Sequence, residues 1–174
     1  MAKKDRTFFI SLGGMITALS IAFMFLTLLF PIAEFVFPAM AGILLISAVY
    51  EMGEKRALII FAAVGILSLL LPISKSSAIY YIFFFGHYPI VKSYIERIHN
   101  AVIKWIVKIL FFNLCASGAF FVSVYLFSMD TVSIKYGILL TALVLNVSFV
   151  LFDIALDSLI SVYGSRIRKI IKRQ

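Results

Sequence analysis

The sequence is short of the side chains from which catalytic and metal sites are built. It contains one cysteine, two histidines and eight acidic residues in 174. The single cysteine, Cys115, excludes an internal disulfide, and we interpret it as a small packing residue. The sequence has no HExxH, CxxC, GxSxG or phosphate-binding glycine loop. We therefore expect no catalytic residues, no cofactor and no metal, and predict that the protein is not an enzyme.

The nearest thing to a catalytic constellation is the pair Asp153 and Asp157, one helical turn apart. Membrane phosphotransferases that hold metals with aspartates have further acids and a glycine and arginine pattern, which this chain lacks. Lys104 and Lys108 are also one turn apart, and at 1.5 Å per residue all four charges lie at similar depth. Charges inside a span usually face the bundle and find a partner. We predict an intramembrane ion-pair ladder between these lysines and aspartates, with a proton or ion relay as the alternative.

Polar residues are scarce throughout, since 63% of the chain is hydrophobic and 14% is charged. A bilayer core about 30 Å thick requires roughly 20 apolar residues in a helix. Five long apolar stretches are evident, and a sixth is interrupted by Gly86-His87-Tyr88-Pro89. We predict an all-α membrane protein, a six-transmembrane-helix bundle forming a single integral membrane domain over residues 1–174. The predicted helices cover about 8–30, 35–50, 57–73, 78–95, 101–127 and 137–163, with a basic tail over 164–174.

The basic residues are unevenly distributed along this plan. With both termini inside, all except Lys75 and Lys135 fall on the cytoplasmic side. If the fourth segment turned back as a re-entrant loop, most of them would lie outside, contrary to the positive-inside rule. We therefore predict a multi-pass cell-membrane protein with cytoplasmic N- and C-termini. Its net charge of +8 then reflects contact with the anionic inner leaflet, and no nucleic acid partner is expected.

Small residues recur on one face of the first predicted helix. Gly14, Ala18 and Ala22 are each four residues apart. In lipid, helices associate where small side chains let their backbones approach closely. The row therefore marks a helix contact, either within the bundle or with a partner protein.

The interrupted fourth segment carries most of the candidate binding residues. Tyr80 and Tyr81 are expected near the outer interface, where tyrosine is an ordinary anchor. The helical spacing of Tyr80, Phe84, His87, Tyr88 and Val91 predicts one stripe facing the bundle. Aromatic rings with a few polar tips are typical of a small-molecule pocket, although simple packing is the alternative.

Three polar residues elsewhere complete the candidate set. Asn113 and Asn146 are expected near the bilayer centre, where an interhelical amide contact is the simplest explanation. Glu34, in the short outer loop between Pro31 and Pro38, can cap a pocket. The candidate substrate-binding residues are therefore Glu34, Tyr80, Tyr81, Phe84, His87, Tyr88, Asn113 and Asn146.

The plan of the whole chain resembles the S component of energy-coupling factor transporters, the substrate-binding membrane subunit for vitamin uptake in prokaryotes. The resemblance rests on size, six predicted helices with cytoplasmic termini, and Ala18-Leu-Ser-Ile-Ala22 preceded by Gly14, which is similar to the AxxxA row of that family. It implies that this row contacts a transmembrane coupling subunit, and that partner ATPases supply the energy. It also implies a substrate held near the outer face, under the loop that follows the first helix.

These observations predict a membrane substrate-binding subunit for uptake of a small, vitamin-like molecule. The sequence leaves two other classes open. One is a non-catalytic scaffold or assembly protein of the cell envelope, and the other is a small lipid- or proton-handling carrier. The identity of the ligand and the oligomeric state are not determined by the sequence.

Overall fold

A computed structural model of the chain describes residues 3–125 and 138–164. Every regular element in these two ranges is helical, as the sequence predicts. The α-helices are α1 (Lys3–Leu29), α2 (Val36–Met52), α3 (Glu54–Leu70), α4 (Lys75–Tyr80), α5 (Tyr88–Ile95), α6 (Ala101–Tyr125) and α7 (Ile138–Val162). A 3₁₀ turn, Pro31–Ala33, follows α1, and a π-helical segment, Tyr81–Phe85, lies between α4 and α5. The chain forms two compact units, Met1–Met129 and Asp130–Gln174.

In the part of the chain that the structure describes, three helical stretches are long and apolar enough to cross a membrane, namely Thr7–Leu29, Ala101–Tyr125 and Ala142–Val162. The apolar helix α2 has 17 residues, and α3 has the same length. The predicted helices at 35–50, 57–73, 101–127 and 137–163 match α2, α3, α6 and α7 to within three residues at each end. The first helix begins earlier than predicted, at Lys3, because the charged residues before Thr7 continue it.

The first three helices form the core of the first unit. One side of α1 is buried through Ile16, Ser20, Met24 and Thr27, which recur every three or four residues. This side packs against α2 and α3, which contribute small buried residues such as Ala41. A single residue, Gly53, connects α2 to α3, and its φ of 82° is a conformation that suits glycine.

The opposite side of α1 carries the predicted row of small residues. Gly14, Ala18 and Ala22 are all exposed, and a Cβ added at Gly14 would meet nothing within 4 Å. The contact made by the bundle itself therefore uses the other face of α1. Of the two alternatives that the sequence leaves open for this row, the structure favours a surface over an internal contact.

The fourth segment, predicted as a helix over 78–95 interrupted at Gly86-His87-Tyr88-Pro89, becomes irregular before that point, at Tyr81–Phe85. It begins at Lys75 and passes from α4 through the π-helical segment to α5. In this segment the Gly86 N–H donates to the carbonyl oxygen of Tyr81, five residues earlier, at 2.7 Å. Pro89 follows closely and has no N–H of its own, so a regular helical ladder cannot continue there.

The same segment lies at the centre of the first unit. No side chain between residues 73 and 93 is exposed. A helix surrounded on all sides belongs to the interior of a bundle rather than to its lipid face. None of the residues of the predicted stripe, Tyr80, Phe84, His87, Tyr88 and Val91, is exposed, but burial is not confined to one face of the segment.

Glycines allow neighbouring helices to approach the π-helical segment. A Cβ at Gly42 in α2 would lie 2.7 Å from the carbonyl carbon of Phe85, and closer still to its oxygen. A Cβ at Gly65 in α3 would lie 3.3 Å from Ile82, and one at Gly118 in α6 would lie 3.1 Å from Phe83. Three helices thus contact the broken segment through positions without a side chain, as is usual for close helix packing in lipid.

Contacts at the two ends of the first unit show that the fourth segment traverses it. At one end the Arg56 guanidinium lies 3.8 Å from the centre of the Phe9 ring, and Arg97, just after α5, pairs with Glu54. At the other end Ser74, just before α4, donates to the Glu34 carboxylate. The chain therefore enters the fourth segment at one end of the unit and leaves it at the other.

The described part of the second unit is α7 and the two residues after it. Three of its polar side chains donate to carbonyls of the same helix: Asn146 Nδ2 to Ala142 at 2.8 Å, Ser148 to Val144 at 2.9 Å and Ser158 to Ile154 at 3.2 Å. These bonds satisfy polar groups within an apolar helix. The predictions made for Lys135 and for the basic tail beyond residue 164 lie outside the described residues.

Candidate functional site

The outer loop predicted to cap a pocket is joined to the start of the fourth segment. The Ser74 hydroxyl donates to Glu34 Oε1 at 2.8 Å, and the Ser77 hydroxyl donates to the main-chain oxygen of Glu34 at 3.3 Å. The ring of Phe35 stacks on Tyr80, with centroids 4.3 Å apart and planes at 20°. We call these five residues the outer cluster, after the side of the membrane that the sequence predicts for this loop. It brings together two predicted site residues, Glu34 and Tyr80.

A second polar group, His87, lies deeper along the same segment. Its Nδ1 is 2.9 Å from the carbonyl oxygen of Ile82, and since a carbonyl only accepts, Nδ1 carries the proton in the neutral ring. Nε2 is then an acceptor, and it lies 3.5 Å from Cys115 Sγ in α6. Cys115 is therefore more than a packing residue, because its thiol faces the imidazole. The rings of Phe61 and Phe111 pack edge-on against His87, at 5.9 and 5.3 Å between centroids.

Tyr81 departs most from its predicted role. It was expected as an anchor near the outer interface, but its side chain is 0% exposed and belongs to the core formed with α1, α2 and α3. Its ring packs against Phe61, with centroids 5.8 Å apart. Within residues 3–125 and 138–164, its hydroxyl has no hydrogen-bond partner. A buried hydroxyl in this state costs about 1–3 kcal/mol of folding free energy.

The remaining candidates are distributed over several places. Phe84 packs edge-on against Phe112 at 4.5 Å, and Tyr88 is buried with the Lys92 ammonium 6.0 Å from its ring centre. Asn113 is exposed and donates to the carbonyl of Ile109 in its own helix at 2.8 Å. Asn146 belongs to the second unit.

Charged residues at the opposite end of the first unit converge on one carboxylate. Lys108 and Lys104 lie 2.7 and 2.9 Å from the carboxylate oxygens of Glu96, and Lys92 lies 3.9 Å away. Burial acts to raise the pKa of Glu96, but hydrogen bonds from Lys108 and Lys104 and the nearby positive charges outweigh it and hold the pKa below its ordinary value. Glu96 is a partner of both lysines that the sequence did not predict. Their pairing with Asp153 and Asp157 remains a prediction.

Sequence reasoning missed several residues that the structure places around the candidates. Ser74 and Ser77 could have been found, because Ser74-Lys75-Ser76-Ser77 is a polar run at the outer end of two apolar segments. Phe61 and Phe111 carry no such signal, since the sequence does not show which of its 18 phenylalanines meet His87.

Among the residues that the structure describes, no three His, Cys, Asp or Glu side chains form a group that could hold a metal. Comparison of the chain with protein-family models, with curated proteins and with solved structures gave no match. The function must therefore be argued from the site itself.

Proposed function

We propose that this protein is a six-span membrane protein that binds a small molecule at the outer end of its fourth segment and delivers it for uptake with partner subunits. One observation carries the proposal: Glu34 and Phe35, in the loop after α1, contact Ser74 and Tyr80. These contacts hold the loop against the start of a buried and broken helix. The same loop is the one that covers the substrate in the S components that the chain resembles.

The break itself supports a binding role. Irregular backbone at membrane depth is tolerated only where protein or a cavity surrounds it. Transporters commonly build their substrate sites from discontinuous helices, and π-helical turns occur frequently at functional sites. Here the π-helical segment Tyr81–Phe85 begins at the residue next to Tyr80 of the outer cluster.

Distances and charges are consistent with the proposed orientation. From Lys75 to Ile95 the fourth segment has 21 residues, which at 1.5 Å each is about 30 Å, the thickness of a bilayer core. Arg56 and Arg97 lie at one end of the first unit, and Lys75 lies at the other. On the positive-inside rule, the end with the two arginines is cytoplasmic, and the outer cluster faces the outside.

The orientation can be tested by cysteine labelling. In a Cys115→Ala background, Lys75→Cys should react with a membrane-impermeant maleimide in intact cells. Lys55→Cys, at the start of α3, should react only after the cells are permeabilised. The reverse pattern would contradict the proposed topology.

The exposed row Gly14, Ala18 and Ala22 supports a partner subunit. A strip without side chains gains nothing from facing lipid, whereas a second helix can pack closely against it. In the proposed function this partner is a transmembrane coupling subunit, which would bring the ATPases that the chain lacks.

The partner can be tested with Ala18→Leu and Ala22→Leu. Both residues are exposed, so the isolated protein should keep its melting temperature in detergent. Copurification of a membrane subunit together with ATPases, identified by mass spectrometry, should be lost. Ser20→Leu is the matched control on the buried face, where overpacking should lower stability by about 1–3 kcal/mol. Unchanged partner recovery in both exposed variants would contradict the proposal.

The same exposed row also favours a second candidate, a scaffold that binds another membrane protein and no ligand. Ligand-dependent stabilisation separates the two. A ligand at 100 times its dissociation constant should stabilise a binding subunit by about 2.7 kcal/mol. A scaffold should show no stabilisation with any compound of a library that spans cationic, neutral and anionic molecules.

A further inference from the structure

The carboxylate of the outer cluster has no positive partner in the part of the chain that the structure describes. Glu34 is half-buried, and its side chain accepts only the Ser74 hydroxyl. Lys75 is the basic residue next to Ser74, but its ammonium donates to the carbonyl oxygen of Leu69 at 2.7 Å. At the opposite end of the first unit, by contrast, Glu54 pairs with Arg97. Glu96 pairs with Lys104 and Lys108.

Aromatic rings lie directly beside this charge. Phe35 follows Glu34 in the chain and stacks on Tyr80 at 4.3 Å, and the main-chain oxygen of Glu34 accepts from Ser77, three residues before Tyr80. The Phe35 side chain is 51% exposed, so the cluster is open to molecules arriving from one side. A carboxylate next to aromatic faces is the combination that recognises organic ammonium ions, through charge attraction and cation–π contact.

We infer that the ligand of the outer cluster is an organic cation, specifically one that carries a substituted ammonium group. This inference rests on the proposed function, because it names the class of molecule that the proposed site takes. An anion would be repelled by Glu34. An inorganic divalent ion would find one carboxylate where it requires several oxygen ligands. An ammonium ion bearing alkyl groups satisfies both the charge and the rings.

The test compares choline with two analogues of similar shape, one uncharged and one negatively charged. In 3,3-dimethylbutan-1-ol a carbon replaces the ammonium nitrogen, and 3,3-dimethylbutanoate is the corresponding anion. Thermal unfolding of the purified full chain is measured against each compound up to tens of millimolar. Choline should raise the melting temperature at concentrations at least about tenfold lower than the neutral alcohol, and the anion should have no effect.

Two variants tie the effect to the outer cluster. Glu34→Gln removes the charge but keeps an oxygen for the Ser74 hydroxyl, so the loop should stay latched while the preference for choline disappears. Phe35→Leu should weaken choline binding and leave the alcohol unaffected. Lys75→Gln is the control for a change of charge outside the cluster, and it should not weaken choline binding.

The outcomes separate the class of ligand from the proposed function. Equal stabilisation by the neutral alcohol or the anion, a choline effect that survives Glu34→Gln, or no choline effect in the unaltered chain would each overturn the ammonium inference. If a neutral or anionic compound from the wider library then stabilises the protein, the proposed function stands and only the ligand class is wrong. If no compound of any charge stabilises it, the proposed function fails as well.

Discussion

The close approach of α2 to the broken segment predicts opposite effects for two glycine-to-alanine changes. In Gly42→Ala the new Cβ would lie 2.7 Å from the Phe85 carbonyl carbon and 3.1 Å from the Phe85 Cβ. Carbonyl groups cannot rotate away as a flexible side chain can, so either α2 or the π-helical segment must move. Overpacking of this kind costs about 1–3 kcal/mol.

Gly14→Ala is the matched control, because Gly14 is also helical but has nothing within 4 Å of its Cβ position. Alanine stabilises a helix interior by about 0.5–1 kcal/mol relative to glycine, and both variants gain this amount. Their difference therefore isolates the contact with Phe85. Gly14→Ala should unfold at or above the melting temperature of the unaltered chain in detergent, and Gly42→Ala clearly below it.

The reasoning fails if both variants are equally stabilised, because α2 and the segment would then not be in contact at Gly42. The contact has a local cause. Pro89, four residues after Phe85, has no N–H to give to the Phe85 carbonyl. The Gly42 hydrogen that a Cβ would replace points towards this oxygen, in the arrangement of a weak Cα–H···O contact.

Three further predictions concern buried and charged groups. Tyr81→Phe should stabilise the protein by about 1 kcal/mol or more, because it removes a buried hydroxyl that has no partner among the described residues, and a lower melting temperature would contradict this. Because the pKa of Glu96 is held below its ordinary value, its contribution to stability is present above that value and is lost as the pH falls through the lowered pKa. Glu96→Gln should flatten the loss of stability below about pH 4, and an unchanged acid limb would exclude the lysine contacts as its source. For the predicted ladder, Lys108→Met or Asp153→Asn alone should destabilise more than the two together, and strict additivity in the double-mutant cycle would argue against the pair.

The sequence predicts the positions of helices better than it predicts backbone irregularities within a helix. Apolar length located α2, α3, α6 and α7 because lipid-soluble helices require it, and Gly86 and Pro89 indicated an interruption. A π-helical turn has no recurring side-chain pattern of its own. An extra residue in a turn rotates everything after it by about 100°, so a stripe counted at 3.6 residues per turn fails beyond that point. Tyr80 and Tyr81 were both predicted as anchors near the outer interface, and no pattern in the sequence indicated that Tyr81 is buried in the core.

The glycines illustrate the same limit. The sequence identified the regular row on α1, but Gly42, Gly65 and Gly118 are single residues on three helices, and their shared partner is visible only in three dimensions. The row that has a pattern is exposed, whereas the glycines without a pattern make the internal contacts. The spacing of residues along one helix indicates which of them share a face, but it does not indicate which neighbour that face contacts.

The π-helical segment contains two features that lower stability and that a regular helical bundle does not require. Its first residue, Tyr81, has a buried hydroxyl that finds no partner in the described part of the chain, where phenylalanine would fill the same space. Its last residue, Phe85, requires glycine on α2. Departures from the most stable arrangement tend to persist where function requires them. Both costs lie on the segment that starts one residue after Tyr80, whose ring stacks on the outer loop. In the proposed function, a molecule bound at the outer cluster would therefore contact the residue that directly precedes this segment.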